Sequence, residues 1–464
     1  MNFLRKINLE KLLKILLSAF LFLLPWQTIF IFREVFLGGV KFEYATLGMY
    51  ATEVLFWITA IIFMFWYGAK WREAGKKIKK FALTKDRIFL ISCLLFMLYV
   101  LSSVVWALDP AVALQSSLHI MEAILIFLMI FLGPLSFLEA AFWLVFGAGV
   151  TAILGIGQFL FQATFASKWL GLVKYESWKA GTSIISGAGV GRWLRGYGTF
   201  SHPNIFGGYL ALSMIVAMLL ALVVKRGKTC KIGNWFLCQE NYREQIIFYS
   251  TTALVVSGLF LSFSRSAILT LSIFLIILLF LSLHKGTDFY RLRFLSIYSI
   301  VIILLFSAIF WPLVSVRTTA SSANETQSIE ERLNGYEESW KIIKENLWLG
   351  VGIGNYTIYL QHDHPQVPAW EFQPVHNVFL LLTAELGLVG LTLLFLCIVT
   401  FSIWQIRKFK IDIMHINLFY IILIISFLIL ANLDHYLYSS YVGLALTGVF
   451  WGLLTRFNTQ YLHK

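Results

Sequence analysis

Ile205-Phe-Gly-Gly-Tyr-Leu-Ala-Leu-Ser-Met-Ile-Val-Ala-Met-Leu-Leu-Ala-Leu-Val-Val224 runs for twenty residues without a charged side chain. An α-helix rises about 1.5 Å per residue, so roughly 20 apolar residues cross the ~30 Å hydrocarbon core of a bilayer. Inside lipid a crossing segment has to satisfy its own backbone hydrogen bonds, and a helix does this. The stretch therefore reads as a transmembrane helix over 204–224. Comparable stretches precede it at 12–32, 45–68, 88–107, 112–132 and 137–161. Others follow at 246–263, 266–283, 294–313, 376–404, 416–432 and 438–456. The expected fold is an all-α polytopic membrane protein with about twelve transmembrane helices, forming a single membrane domain over 1–464. Two joints are tight: Gly133-Pro134-Leu135-Ser136, and Ser264-Arg265. The first span is long, lacks a small-residue cleavage site and is followed by many more, so it does not read as a signal peptide.

Composition agrees. The chain is 59% hydrophobic and 13% charged, where a soluble domain carries about 25% charged residues. Its 16 Trp, 19 Tyr and 42 Phe suit rings seated at lipid interfaces. The net charge of +13 would suggest nucleic acid in a soluble protein. Here its placement explains it. With the N-terminus in the cytoplasm and the helices alternating, 25 of the 37 Lys and Arg fall on the cytoplasmic side, as the positive-inside rule requires. No nucleic-acid partner is expected. This topology puts both termini and 225–245 in the cytoplasm, and two long segments, 162–203 and 314–375, on the outer face. Cys93 and Cys397 lie in apolar spans, and Cys230 and Cys238 share a cytoplasmic loop where thiols stay reduced. Their spacing fits no common zinc pattern, so neither a disulfide framework nor a metal site is expected.

The candidate chemistry gathers on the outer side. The first long loop reads Gly191-Arg192-Trp-Leu-Arg195-Gly-Tyr-Gly-Thr-Phe-Ser-His202-Pro-Asn204. Arginine suits bidentate binding of phosphate oxygens; the plainer reading is that Arg192 and Arg195 snorkel at the interface. His202 stands before Pro203, where the pair also suits a turn. Arg265, between hydroxyls in Ser262-Phe-Ser264-Arg265-Ser266, needs an anionic or carbonyl partner. In the second long loop, Ser328-Ile-Glu-Glu331 is a capping-box pattern. Leu333, Tyr336, Trp340 and Ile343 recur after it at helical spacing, so a surface helix is expected to lie against the membrane domain. On composition alone Arg332 reads as an exposed helix charge. Gly350-Val-Gly-Ile-Gly-Asn355 reads as a flexible turn, since no strand precedes it for a dinucleotide site. His362-Asp363-His364 is a polar run with metal-ligating side chains. His376-Asn377 opens the tenth span. A helix N-terminus disfavours an imidazolium, so the ring is expected to be neutral and able to accept a proton, as a general base must. The plainer alternative is an interfacial His bound to a backbone carbonyl. Glu385 is expected to pair within the bundle, and Asp434 and His435 sit on a short outer loop that can line the same cavity.

The order of these features resembles the O-antigen ligase family, with its related lipid-linked-glycan polymerases and bacterial O-oligosaccharyltransferases. His376-Asn377, nine residues, then Gly387-Leu-Val-Gly390 is similar to that family's pattern around its histidine. Arg332, Trp340 and Gly350-Val-Gly-Ile-Gly-Asn355 resemble the segment before it, and Ser264-Arg265-Ser266 resembles its arginine between adjacent spans. The resemblance covers about 190–390 at motif level. It implies a membrane glycosyltransferase (GT-C) fold in the bacterial cytoplasmic (inner) membrane, working without metal or other cofactor. It implies transfer of a glycan from undecaprenyl pyrophosphate to an acceptor hydroxyl on a lipid or glycan, as in lipopolysaccharide assembly. His376 would be the catalytic base. Arg265, Arg332 and Arg195 would bind pyrophosphate, with Asn377, Arg192 and His202 in support. Polysaccharide polymerase and protein O-oligosaccharyltransferase remain open within the family. A lipid-linked-glycan transporter is the reading from another class, against which stand the absent internal repeat and the charges gathered at one face.

The topology is tested by cysteine labelling of intact cells. A cysteine placed within 320–328 is expected to react with a membrane-impermeant reagent. Reaction within 228–236 instead would reverse the assignment.

Overall fold

A helix that is apolar on every side has no face to offer water and goes to the centre of its bundle. The 204–224 stretch does this in the computed structural model, which describes residues 8–74, 87–187, 189–223, 230–232, 235–237, 242–283, 290–319, 323–408 and 414–461. The helices up to that centre are α1 (Leu9–Leu23), α2 (Ala51–Ala74), α3 (Arg87–Ser102), α4 (Pro110–Leu132), α5 (Phe137–Phe161) and α6 (Pro203–Val223). Those after it are α7 (Tyr242–Leu261), α8 (Arg265–Leu283), α9 (Tyr290–Ile309), α10 (Trp311–Thr319), α11 (Ala323–Glu345), α12 (Tyr356–Asp363), α13 (Val378–Lys408), α14 (Met414–Leu433), α15 (Tyr436–Ser439) and α16 (Tyr441–Tyr461). Nearly all of α6 is buried, with α5, α7, α8 and α9 packed around it, and its side chains form the middle of the largest apolar core. α4 packs along α16, and α3 along α13. At Gly208 a Cβ would stand 1.5 Å from the Tyr436 hydroxyl, so only glycine lets α15 come this close.

Each of the twelve stretches marked in the sequence carries a helix. Eight among the described residues are long and apolar enough to cross a membrane by length and composition, and Gln245–Leu261 and Ile421–Leu433 are apolar but shorter. The first two differ from expectation. α1 stops at Leu23, before Pro25, instead of running through 12–32. Ile29–Arg33 forms β1, which pairs antiparallel with β4 (Leu47–Tyr50), so α2 starts at Ala51 and not at 45. β-branched and aromatic residues favour a strand once proline has ended the helix. Between them β2 (Phe36–Leu37) pairs with β3 (Val40–Lys41), and in the 162–203 segment β5 (Ile184–Gly187) pairs with β6 (Gly191–Leu194). A further hairpin joins β7 (Cys230–Ile232) and β8 (Trp235–Leu237). Cys93 and Cys397 are free thiols, and Cys238 lies outside the described residues.

The 314–375 segment differs in detail. α11 begins at Ala323, and Ser328 lies inside it with its hydroxyl toward Arg265, so the expected capping box does not form. Of its expected apolar face only Ile343 is buried; Leu333 and Trp340 are more than half exposed. The face turned inward carries Gly335, Ser339, Ile342 and Ile343 instead, and Tyr356 donates its hydroxyl to the Gly335 carbonyl on that face.

The glycine run is a joint, not a free turn. α13 breaks at Gly387, which adopts φ 63°. The loop after α11 fills the break: Val351 and Gly352 donate backbone N–H to the carbonyls of Ala384 and Glu385, and Leu388 donates to that of Leu347. The Glu385 carboxylate takes the Tyr438 hydroxyl at 2.8 Å. A Cβ on Gly387 would stand 2.2 Å from the Trp348 carbonyl oxygen. Gly387→Ala is therefore expected to destabilise the protein by more than the roughly 1–2 kcal/mol of a left-handed residue alone. Gly68→Ala, at a helical site with nothing within 4 Å of the new Cβ, is the control. Thermal unfolding in detergent should separate the two, and equal midpoints would show that the joint is dispensable.

Candidate active site

One end of the bundle collects the loops that hold most of the charged residues singled out in the sequence. Asn377 caps the first turn of α13, its side-chain oxygen accepting the backbone N–H groups of Phe379 (2.9 Å) and Leu380 (3.1 Å). Its amide nitrogen reaches Asn432. The cap holds the preceding residue, His376, over the Asp434-His435 loop that follows α14. His376 Nδ1 lies 3.2 Å from Asp434 Oδ1. Asp434 Oδ1 also accepts the His435 backbone N–H at 3.0 Å, and Oδ2 accepts the Asn204 amide at 3.2 Å. A carboxylate with these partners is an acceptor, so the His376 proton sits on Nδ1 and Nε2 keeps its lone pair. Nε2 has no partner among the described residues, and a quarter of the side chain is exposed while Asp434 is buried.

Burial alone would raise the Asp434 pKa, but the hydrogen bond from His376 outweighs it and holds the carboxyl well below the usual range. The His435 ring stands edge-on to His376, 5.0 Å between centroids. Burial, then the neighbouring His376, pushes His435 down to about 3.

The network continues into the first long loop. Asn204 accepts Arg195 Nη2 at 2.7 Å, and Arg195 Nε donates to the Ser262 carbonyl at 2.8 Å. Arg195 is buried, and burial followed by the nearby Arg317 works against its charge. His202 Nδ1 accepts the Asn204 backbone N–H at 3.1 Å, which leaves Nε2–H for Ser183 Oγ at 3.0 Å. Burial, then Arg195, pushes His202 down to about 3. Arg192 is apart from this group: it is exposed on β6 and bonds the Ser177 carbonyl.

A second group faces the first. α7 and α8 are joined through Phe263 at φ 47°, a left-handed conformation that costs a non-glycine residue about 1 kcal/mol or more. The turn sets Arg265 as the first residue of α8. Its Nη1 lies 3.5 Å from Glu325 and its Nη2 3.5 Å from Ser328 Oγ. Arg317 grips the Glu325 carboxylate at 2.6 and 2.7 Å and donates to the Phe263 carbonyl. Arg332, half-buried on α11, makes no hydrogen bond among the described residues, and its charge acts on Arg265, Asp434 and His435. The sequence reading missed Arg317 and Glu325. Arg317 follows the ninth span much as Arg265 follows the seventh, and that was its signal; Glu325 gave none.

Among the described residues two sets of side chains place metal-ligating atoms within 4.8 Å of one another: His376, Asp434 and His435 here, and Glu53, His119 and Glu122 between α2 and α4. In the first set the Asp434 oxygens are already engaged. Asp363, from the polar run 362–364, pairs with Lys341 at 2.8 Å.

The two depressed histidines make the site acid-sensitive. Above their ordinary 6.5, His202 and His435 are neutral whether the chain is folded or unfolded. As pH falls from 6.5 toward about 3, the unfolded chain binds protons that the folded one refuses, so stability drops. The unfolding temperature in detergent is expected to fall between pH 7 and pH 5, with a shallower slope in His202→Asn. Parallel slopes for the two proteins would remove His202 from this account.

No curated protein matches the chain. Residues 250–395, from within α7 to within α13, match the family model described as O-antigen ligase. They include Arg265, Arg317, Glu325, Arg332 and His376, but not Arg195 or Asp434. The match and the sequence motifs fall on one segment and agree: over 250–395 the chain is similar to the O-antigen ligase family, whose model marks a class of glycan-transferring enzymes.

Proposed function

We propose that this protein transfers a glycan from undecaprenyl pyrophosphate to a hydroxyl of a lipid or glycan acceptor, at the outer face of the bacterial cytoplasmic membrane with both termini inside. The observation that carries the reading is the His376–Asp434 pair, with Nε2 open, facing a cluster of guanidinium groups. Asp434 fixes the tautomer and favours the cation formed when Nε2 takes a proton. The acceptor oxygen attacks the anomeric carbon from the face opposite the carrier. The bond from that carbon to the pyrophosphate oxygen breaks, the configuration inverts, and the hydroxyl proton goes to His376 Nε2. The leaving pyrophosphate carries the released electron pair.

The arginines divide this work by how they are held. Among the described residues Arg332 has no hydrogen-bond partner and Arg265 only long ones at 3.5 Å, so both have donors to give a phosphate, where they stabilise charge building in a water-poor site. Arg195 is fixed by Ser262 and Asn204 and acts mainly by positioning. Asn377 serves as the helix cap that aims His376.

The test is release of undecaprenyl pyrophosphate by the purified protein from lipid-linked glycan and acceptor. His376→Gln is expected to lose about 10²–10⁴-fold, since an amide orients a hydroxyl but does not accept its proton. Asp434→Asn is expected to fall comparably by releasing the tautomer. Arg265→Lys keeps the charge but loses the fork, so turnover should drop clearly, and Arg332→Ala should raise the donor KM. Near-normal transfer by His376→Gln would place the base elsewhere, and near-normal transfer by both Arg265→Lys and Arg265→Ala would end the pyrophosphate role of that residue.

A further inference from the structure

Away from the His376 network, α2 and α4 bury three ionisable side chains against one another. Glu53 stands in the first turn of α2, and His119 and Glu122 lie one turn apart on α4. Glu53 and Glu122 are 6% and 1% exposed. One Glu53 oxygen is occupied by the Tyr50 backbone N–H at 3.1 Å. The other faces His119 Nε2 at 3.8 Å, too far for a hydrogen bond. Glu53 and Trp57 adjoin the Glu122 carboxyl, yet neither of its oxygens has a partner in hydrogen-bond geometry, and His119 Nε2 has none either. Tyr441, 5.4 Å from the His119 ring and stacked on Tyr50, walls the cluster.

Two neighbouring carboxyls that share a single donor are costly in a buried apolar setting unless a proton or a metal ion joins them. Among the described residues no Lys or Arg forms a salt bridge with them, and the cationic candidate beside them is His119. We propose that Glu53, His119 and Glu122 bind one divalent transition-metal ion that ties α2 to α4. Their donor atoms all lie within 4.8 Å of one another. Bonds of about 2.1 Å around a tetrahedral ion put donors about 3.4 Å apart, so side-chain rotations that draw the three donors together close the site. A nitrogen with two carboxylates suits zinc or a similar ion better than magnesium or calcium, which take oxygen donors. The ion neutralises the two carboxylates and supplies the partner that Glu122 and His119 lack. It is structural, outside the transfer chemistry.

The test uses the full chain purified in detergent. Elemental analysis is expected to find about one zinc equivalent, removable by chelator with a lowered unfolding temperature. Cobalt added to the stripped protein should restore that temperature and give the visible absorption of a protein-bound ion. Glu122→Gln and His119→Gln should lose both responses, while Asp434→Asn, which breaks the other donor set, should keep them. The Gln variants have to elute as monodisperse protein with helical circular dichroism; should one not, the other, or Glu53→Gln, carries the comparison. Wild-type protein that binds neither zinc nor cobalt would overturn the site and leave a shared proton as the bridge between the carboxyls. Binding retained in both Gln variants, or lost in Asp434→Asn, would overturn it too.

Discussion

The functional end of the molecule depends on one buried carboxylate. Asp434 takes donors from three separate places: His376, two residues before α13, Asn204 at the start of α6, and its own following peptide. A buried charge stripped of its partners costs several kcal/mol, so none of these segments can settle without the others. Asn204 and His376 lie far apart in sequence and in different loops, yet both are fixed by the same two oxygens. This organises the end of the bundle more than helix packing does, because packed apolar side chains set distances loosely and hydrogen bonds set directions.

A second carboxylate does the same work for the cations. Arg195, Arg265, Arg317 and Arg332 sit close enough for their charges to act on one another. Glu325, in the first turn of α11, faces two of them from a buried position. It grips Arg317 closely and Arg265 loosely, so the group is graded. Arg317 and Arg195 are committed to structure, and Arg265 and Arg332 keep unspent donors. Such grading is what a site for a multiply charged anion needs, since some of its cations have to be aimed and others have to be available.

Much of this was legible from sequence, for physical reasons. Apolar runs of about twenty residues are unambiguous, and all twelve stretches carry helices. Ser264-Arg265 was readable as a joint because a charge flanked by hydroxyls interrupts apolar sequence. His376 was readable because it opens a helix after a long polar loop. What failed were features set by neighbours. Ile29–Arg33 is as apolar as a helix and became a strand because Pro25 stopped α1 and Leu47–Tyr50 was there to pair with it. The inward face of α11 is the one that holds Gly335, whose carbonyl takes the Tyr356 hydroxyl, and no period in α11 contains that information. Asp434 was readable as a residue able to line the cavity of His376, but Asn204 looks ordinary in a list of residues, since its importance is a distance between segments.

The glycine joint gives the histidine its address. Between Asn377 and Gly387 stand nine helical residues, a rise of about 14 Å. At one end the Asn377 cap fixes where the helix starts, and at the other Gly387 and the 347–352 loop fix where it stops. The half-helix cannot slide, because its last carbonyls are already spent on Val351 and Gly352. It cannot gain or lose a residue either, because each one turns a helix by about 100° and would swing His376 off Asp434. The spacing between the histidine and the first glycine is thus a ruler. Read alone, the glycine run suggests flexibility or a nucleotide; read with Gly387, it is the socket in which the ruler is clamped. His376 and the joint are two ends of one rigid part, which is why residues far from the His376 ring decide where its free nitrogen stands.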